Sequence, residues 1–137
     1  MLYALLCYGS EDEVASWSRE QEQVVMSRCA AAADLIRDFV TRGPALRLMP
    51  TTTALTLRSG AQPVVLDGPF AETGEQLLGL WLLNCPSLDE AVAAARLLVE
   101  ARGLHEGALE IRPVALYEDA DDHRPPSQLK PAMRLMT

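Results

Sequence analysis

The segment that decides the fold is LLGLWLLNCPSLDEAVAAARLLVEARG, residues 77–103. Its first part, Leu77 to Asn84, is almost entirely apolar, and its Trp81 favours a buried strand, although a buried helix has the same composition. Ser87-Leu-Asp-Glu90 then has the spacing of a capping box, in which a serine and a glutamate satisfy the first amides of a helix. Apolar residues at helical spacing follow, and Gly103 ends them. The segment therefore predicts a buried strand followed by an amphipathic helix.

The N-terminal part of the chain repeats this order of strand and helix. Leu2 to Tyr8 is a short apolar run that predicts a buried strand. Capping residues at Ser10 and at Ser18 give two alternative starts for the first helix. We expect that helix to end at Gly43 and Pro44, since glycine caps a helix and proline cannot continue one. Its predicted apolar face consists of Val25, Cys29, Ala32, Ile36 and Phe39.

Three further segments have the alternating pattern of strands. Residues 54–58 and 63–67 flank the turn pair Ser59-Gly60 and predict a β-hairpin. Residues 109–117 alternate as well, and Pro113 places this last strand at a sheet edge or near its own end.

The order of these elements predicts an α+β fold. Strand, long helix, two or three strands, helix and strand fit a ferredoxin-like sandwich, with two helices on one face of an antiparallel sheet. The apolar runs at 2–6 and 77–83 imply that the second sheet face is also buried. A second copy of the chain would cover it, so we expect a homodimer packed sheet to sheet. The acidic, proline-containing residues 118–137 are expected to form a tail outside the domain of residues 1–117.

Composition excludes several classes of function. The 137 residues carry 12 basic and 19 acidic side chains, a formal net charge of −7, which disfavours binding to nucleic acid or anionic membranes. No apolar run approaches the roughly 20 residues that span a bilayer, and we expect a cytoplasmic protein. Two histidines and three scattered cysteines make neither a zinc site nor a histidine-based nucleophile system, so we expect no metal or cofactor.

The chemistry-bearing residues cluster after the predicted hairpin. Asp67 precedes Gly-Pro at a strand end, which is first of all a turn device; the alternative is a carboxylate positioned as acid or base. Glu72 and Glu75 could pair with Arg58 or Arg112, either as ordinary ion pairs or beside a ligand. Each of these arginines could otherwise bind an anionic group through its planar guanidinium.

At this point the chain resembles a known family. Residues 67–73, Asp-Gly-Pro-Phe-Ala-Glu-Thr, and 75–77, Glu-Gln-Leu, resemble the signature DGPFAETKEQL of the DGPF branch of the YCII-related proteins. Further matches lie at 46–48, 88–91 and 110–114, and the resemblance covers roughly residues 1–117. It implies a ferredoxin-like fold that dimerises into an α+β barrel, and a cleft between sheet and helices with Asp67 at its rim. Two departures are Gly74 in place of the signature lysine and the absence of a core histidine to pair with Asp67.

The resemblance also sets the functional expectations. The family has been suggested to use a His–Asp pair for acid–base chemistry, and one relative is similar to a dehydrochlorinase of a chlorinated hydroxyquinol. We therefore expect a pocket near Asp67 for a small organic molecule, an anion being one candidate, with Asp67 as the candidate proton shuttle. The alternative is a non-catalytic accessory module of an extracytoplasmic-function sigma factor, since such genes often occur together. The candidate ligand-binding residues are Tyr3, Arg58, Phe70, Glu72, Trp81 and Arg112.

Overall fold

The computed structural model describes residues 1–119, so most of the predicted tail, 118–137, lies outside the described residues. The chain is α+β, as predicted. In chain order the elements are β1 (Leu2–Gly9), α1 (Glu11–Ala15), α2 (Arg19–Ile36), β2 (Thr41–Arg47), a 3-10 turn (Thr51–Thr53), β3 (Leu55–Arg58), β4 (Val64–Asp67), β5 (Gln76–Asn84), α3 (Leu88–Arg102) and β6 (Gly107–Pro113).

Four strands form one antiparallel sheet in the order β2-β5-β1-β6. The two apolar runs are the central strands β5 and β1, with Leu5 opposite Trp81 and Tyr3 opposite Leu83. β3 and β4 form a separate two-stranded sheet inserted between β2 and β5. The order is that of a ferredoxin-like sandwich, and the prediction of this fold is confirmed.

Side chains alternate strictly along β1, and this alternation sets the core. Tyr3, Leu5 and Cys7 are buried, whereas the residues between them are partly exposed. Leu5 and Leu83 pack with residues of both long helices, so α2 and α3 cover the same face of the sheet. Alanines supply most of the helix side of this core, which lets the helices approach each other and the sheet closely. They are Ala32, Ala33, Ala91, Ala94, Ala95 and Ala101.

The two alternative starts of the first helix are both used. Ser10 caps the short helix α1 by accepting from the Glu13 amide, and Ser18 forms a complete capping box with Gln21 at the start of α2. The capping box predicted at the start of α3 is incomplete. The Ser87 hydroxyl donates to the Glu90 carboxylate and accepts no hydrogen bond from a backbone amide of the helix. Gly103 ends α3 in the left-handed conformation, with φ of 62°, as predicted.

The predicted end of the first helix is wrong. α2 ends at Ile36, and Gly43 and Pro44 lie within the strand β2. Pairing between β2 and β5 is irregular between Arg42 and Ala45, which is where the proline stands. Proline is tolerated there because β2 is an edge strand. Pro113 likewise ends the edge strand β6, which stops short of the predicted Tyr117.

Candidate functional site

The segment Asp67–Thr73, here called the signature turn, leaves β4 and leads towards β5. Backbone groups hold its first residues: the Gly68 amide donates to the Ala54 carbonyl over 2.8 Å, and the Thr56 hydroxyl donates to the Gly68 carbonyl over 2.8 Å. Gly68 has a φ of 101°, a conformation that favours glycine. The turn therefore depends on its backbone and on glycine.

The Asp67 carboxylate takes no part in holding this turn. Asp67 is exposed, and among the hydrogen bonds of the described residues its side chain has none. It stands opposite Leu55 in the register of β3 and β4, and Leu57 stands opposite Val65 two residues further along. Because alternate residues share a face, Asp67 lies on the same face as these three apolar side chains.

Beside the signature turn the protein has a groove of about 400 Å³, here called the signature groove. The groove is lined by the signature turn, by the 3-10 turn that follows β2, and by the first residue of β5. The lining residues are Thr51, Thr52, Gly68, Pro69, Ala71, Glu72, Thr73 and Gln76. The volume is within the range of pockets for small organic ligands.

A hydrogen-bond network fixes the walls of this groove. Both oxygens of the Glu11 carboxylate accept from Thr51, one from its amide over 2.8 Å and one from its hydroxyl over 2.7 Å. The Glu11 amide in turn donates to the Gln76 side-chain oxygen over 2.9 Å. The Gln76 amide group donates to the Thr73 carbonyl over 2.5 Å. Helix α1 therefore connects the two sides of the signature groove.

Sequence patterns did not identify Glu11, Thr51 and Gln76 as site residues. Glu11 looks like an ordinary first-turn acid of a helix, and its partner Thr51 lies 40 positions away. The local signal that was available is the run of three threonines at 51–53, which follows Pro50 and precedes the hairpin.

Each of the two arginines predicted to bind an anion contacts another side chain of the protein. The Arg58 guanidinium lies 5.4 Å from the centre of the Phe70 ring. Arg112 donates to the Glu110 carboxylate over 2.9 Å and not to Glu72 or Glu75, the two acids that the sequence offered as alternative partners. Within residues 1–119, neither of those two glutamates has an ion pair. The groove lining itself contains one charged residue, Glu72.

Tyr3 and Trp81, two of the candidate ligand-binding residues, lie apart from the signature groove. Tyr3 is 5% exposed in the core, and Trp81 packs against that core from β5. Arg42, on the neighbouring strand β2, places its guanidinium 5.2 Å from the centre of the Trp81 ring. Of the predicted site residues, only Glu72 lines the groove, and Asp67 and Phe70 flank the residues that do.

The described residues offer neither a metal site nor a membrane span. In residues 1–119 no group of three or more His, Cys, Asp or Glu side chains is placed to hold a metal ion. None of the helices in this range has the length and apolarity needed to cross a bilayer.

Comparison with known proteins agrees with this architecture. An uncharacterized protein of Rhizobium meliloti (strain 1021) is 47% identical over 122 residues, which are 88% of this chain and 98% of that protein. The family model described as the YCII-related domain matches residues 1–117, the range that contains both sheets and all three helices. The chain therefore belongs to the YCII-related family.

Proposed function

We propose that the protein binds a small, hydroxyl-bearing organic molecule in the signature groove. The observation that supports this most is the construction of the groove wall, where Glu11 commits both carboxylate oxygens to Thr51. Fixed walls reduce the ordering cost of binding, which is the usual benefit of a preformed pocket.

The lining favours a ligand that donates hydrogen bonds. Thr51 donates its hydroxyl proton to Glu11 and Thr73 donates its own to the Glu75 carbonyl, so both hydroxyl oxygens are left as acceptors. Glu72 adds a carboxylate, and no cation lines the groove. A neutral molecule with hydroxyl groups suits these acceptors better than an anion, which Glu72 would repel. Gly74, in place of the signature lysine, agrees with this preference.

The working unit in this proposal is a homodimer. The sheet face opposite the helices is apolar, and its central residues are only partly covered within one chain. A second copy packed sheet to sheet would bury this face and remove the cost of exposing it. The face consists of Leu2, Ala4, Leu6, Tyr8, Leu46, Leu80 and Leu82.

Dimerisation also bears on the role of Asp67. Its neighbours on the β3–β4 hairpin are Leu55, Leu57 and Val65, which are 69%, 65% and 63% exposed. If the second copy also covered this hairpin face, the carboxylate would lose its contact with water, where a charged acid is most stable. Asp67 would then be suited to exchange a proton with a ligand in the adjacent groove.

Titration followed by amide chemical shifts tests the ligand site. We expect catechol to move the amide signals of Thr51, Thr52, Gly68 and Thr73 saturably, and 1,2-dimethoxybenzene, which has the same ring but no donor, to leave them unchanged. Glu11→Gln should weaken catechol binding about tenfold, because a charged hydrogen-bond acceptor of the wall is lost. Asp67→Asn should leave the melting temperature unchanged, since the carboxylate holds no contact.

The matched control is Glu20→Gln, which removes an exposed first-turn acid from α2 and should leave catechol binding unchanged. Catechol shifts that are absent, or that spread evenly over the surface, would overturn the proposed site. A melting temperature lowered by several degrees in Asp67→Asn would assign that side chain to the turn instead.

Light scattering tests the dimer. We expect a particle of twice the 15.0 kDa chain mass, and a monomer for Leu6→Glu, which places a charge on the proposed interface. Val24→Glu, on an exposed position of α2, should remain dimeric. A wild-type particle of the single-chain mass would refute this part of the proposal.

A second candidate function is that of an accessory module for a sigma factor. The observation that favours it is the exposed hairpin, whose apolar side chains could contact another protein. A purified sigma factor encoded beside this gene should then bind the wild-type dimer and lose affinity for Leu57→Ser. If the sigma factor bound the wild type and Leu57→Ser equally well, or bound neither, this candidate function would be excluded.

A further inference from the structure

Arg42 lies on the helix-covered side of the sheet, away from the signature groove. It is opposite Leu83, a fully buried core residue, in the pairing of β2 with β5. Leu83 lies seven positions along β5 from Gln76 in the groove, which is about 23 Å at roughly 3.3 Å per residue. Whatever Arg42 does is therefore independent of the proposed function above.

The Arg42 guanidinium is held against an aromatic ring, and residues 1–119 offer it no polar partner. Its central carbon lies 5.2 Å from the centre of the Trp81 ring, within the range of a cation–π contact. Its Nε atom is buried and has no hydrogen-bond partner in the part of the chain that the structure describes. Within residues 1–119, no carboxylate lies within 4.0 Å of it. A partly buried, uncompensated charge is costly, and such a group in a native structure requires an explanation.

The other arginines of the same sheet show that pairing is available to this chain. Arg47, further along β2, forms an ion pair with Glu22 of α2 at 3.7 Å, and Arg112 of β6 forms one with Glu110 at 2.9 Å. Arg42 therefore differs from these two arginines, because residues 1–119 supply it with no acidic partner. It also directly precedes the irregular stretch of β2 at Gly43 and Pro44, and irregularities of this kind often redirect a side chain next to a binding site.

We propose that Arg42, positioned by Trp81, binds the carboxylate of a small organic acid. A guanidinium presents paired N–H groups that match the two oxygens of a carboxylate. A monoanion suits the site better than a phosphate dianion, because Arg42 is a single cation in a protein with a net charge of −7. A bound carboxylate would neutralise the charge that the fold leaves without a partner.

Tryptophan fluorescence reports on this site directly. The chain has two tryptophans, so Trp17→Phe leaves Trp81 as the sole emitter. In that protein we expect benzoate to change the Trp81 emission saturably, and benzamide, its neutral counterpart of similar size, to have no effect. Arg42→Gln in the same background should weaken benzoate binding by about tenfold or more, the loss expected for a charge-assisted hydrogen bond.

Two further variants separate binding from general charge effects. Arg37→Gln removes an exposed arginine paired with Asp34 and should leave benzoate binding unchanged. Arg42→Lys keeps the charge but loses the planar donor pair, so its affinity should fall between those of the parent and Arg42→Gln. A response to benzoate that does not saturate, that persists in Arg42→Gln, or that inorganic phosphate produces at lower concentration would overturn the proposal.

Discussion

The central strands of the sandwich, β1 and β5, and the β3–β4 hairpin are all rich in leucine, yet they bury these residues to opposite extents. Leu5 and Leu83 of the sandwich are fully buried, whereas Leu57 and Val65 of the hairpin are more than 60% exposed. Both sheets are antiparallel, so strand geometry does not cause the difference. The sandwich strands have two helices over them, and the hairpin strands pair only with each other. A lone two-stranded sheet is at best marginally stable in water, so the hairpin requires a partner surface in a way that the sandwich does not.

The largest expected effect compares one leucine from each region. Leu83→Ala should lower the free energy of unfolding by about 3 kcal/mol, because it removes a fully buried side chain and leaves a cavity. Leu57→Ala in the hairpin should change it by less than about 0.5 kcal/mol in the monomer, since little packing is lost. Urea denaturation of the monomeric Leu6→Glu background measures both values. Equal losses at the two positions would mean that the hairpin is packed against the same chain.

Two glycines sharpen the comparison at the level of the backbone. A Cβ atom at Gly79, in β5, would lie 2.3 Å from the Leu46 carbonyl oxygen of β2, whereas one at Gly74 would meet nothing within 4 Å. Gly79→Ala should therefore destabilise the protein by about 2 kcal/mol, by forcing β2 and β5 apart. Gly74→Lys, which restores the residue of the family signature, should be tolerated within about 0.5 kcal/mol. Thermal melts of the two variants check this, and a stable Gly79→Ala protein would contradict the close approach of the strands.

These positions also show what the sequence could and could not predict. Leu77–Asn84 and Ser87–Gly103 predicted β5 and α3 correctly, because strand composition, capping residues and helical spacing are local properties. β2 was missed, because Gly43 and Pro44 are local signals for the end of a helix. They lie at an irregularity of an edge strand, and the residues on either side, Arg42 and Ala45, pair with Leu83 and Trp81 of β5, some 40 residues away.

The candidate site likewise has one part that the sequence predicted and another part that it did not. The signature turn was recognisable as a stretch of sequence, and the groove lies beside it. The contacts of Glu11 with Thr51 and with Gln76 join residues 40 and 65 positions apart, and no spacing rule connects them. Arg42 was likewise not identified, since an arginine with an unpartnered Nε is visible only once the fold brings Trp81 beneath it.

The thiols of the sandwich test how far its core excludes water. Burial raises the pKa of Cys7, Cys29 and Cys85, so each thiol stays protonated further above neutral pH than a free cysteine does. We expect the folded protein to react with a thiol-specific disulfide reagent at pH 8 more than about tenfold slower than the urea-unfolded protein. Cys29, which is only partly buried, should react first, as mass spectrometry of the labelled peptides would identify. Immediate reaction of Cys85 would show that water reaches the core.

The smallest expected effect concerns a contact between α1 and the loop before β6. The Glu13 carboxylate accepts from the His105 backbone amide over 3.0 Å and lies 2.8 Å from the His105 ring Nδ1. Hydrogen bonds from His105 lower the pKa of Glu13, and the Glu13 carboxylate raises the pKa of His105.

The two pKa shifts define a pH window for the stability that this contact adds. Because the pKa of His105 is higher in the folded protein, this residue stabilises the fold fully below its unfolded-state pKa of about 6.5. That stabilisation is lost as the pH rises through the folded-state pKa. Because the pKa of Glu13 is lower in the folded protein, this residue stabilises the fold fully above its unfolded-state pKa of about 4.3. That stabilisation is lost as the pH falls through the folded-state pKa. The pair is therefore most stabilising between about pH 4.3 and 6.5, and its exposure keeps the effect small. Melting temperatures across this range should show a shallow maximum that Glu13→Gln removes, whereas a Glu13→Gln profile parallel to the wild type would mean that the contact contributes nothing in solution.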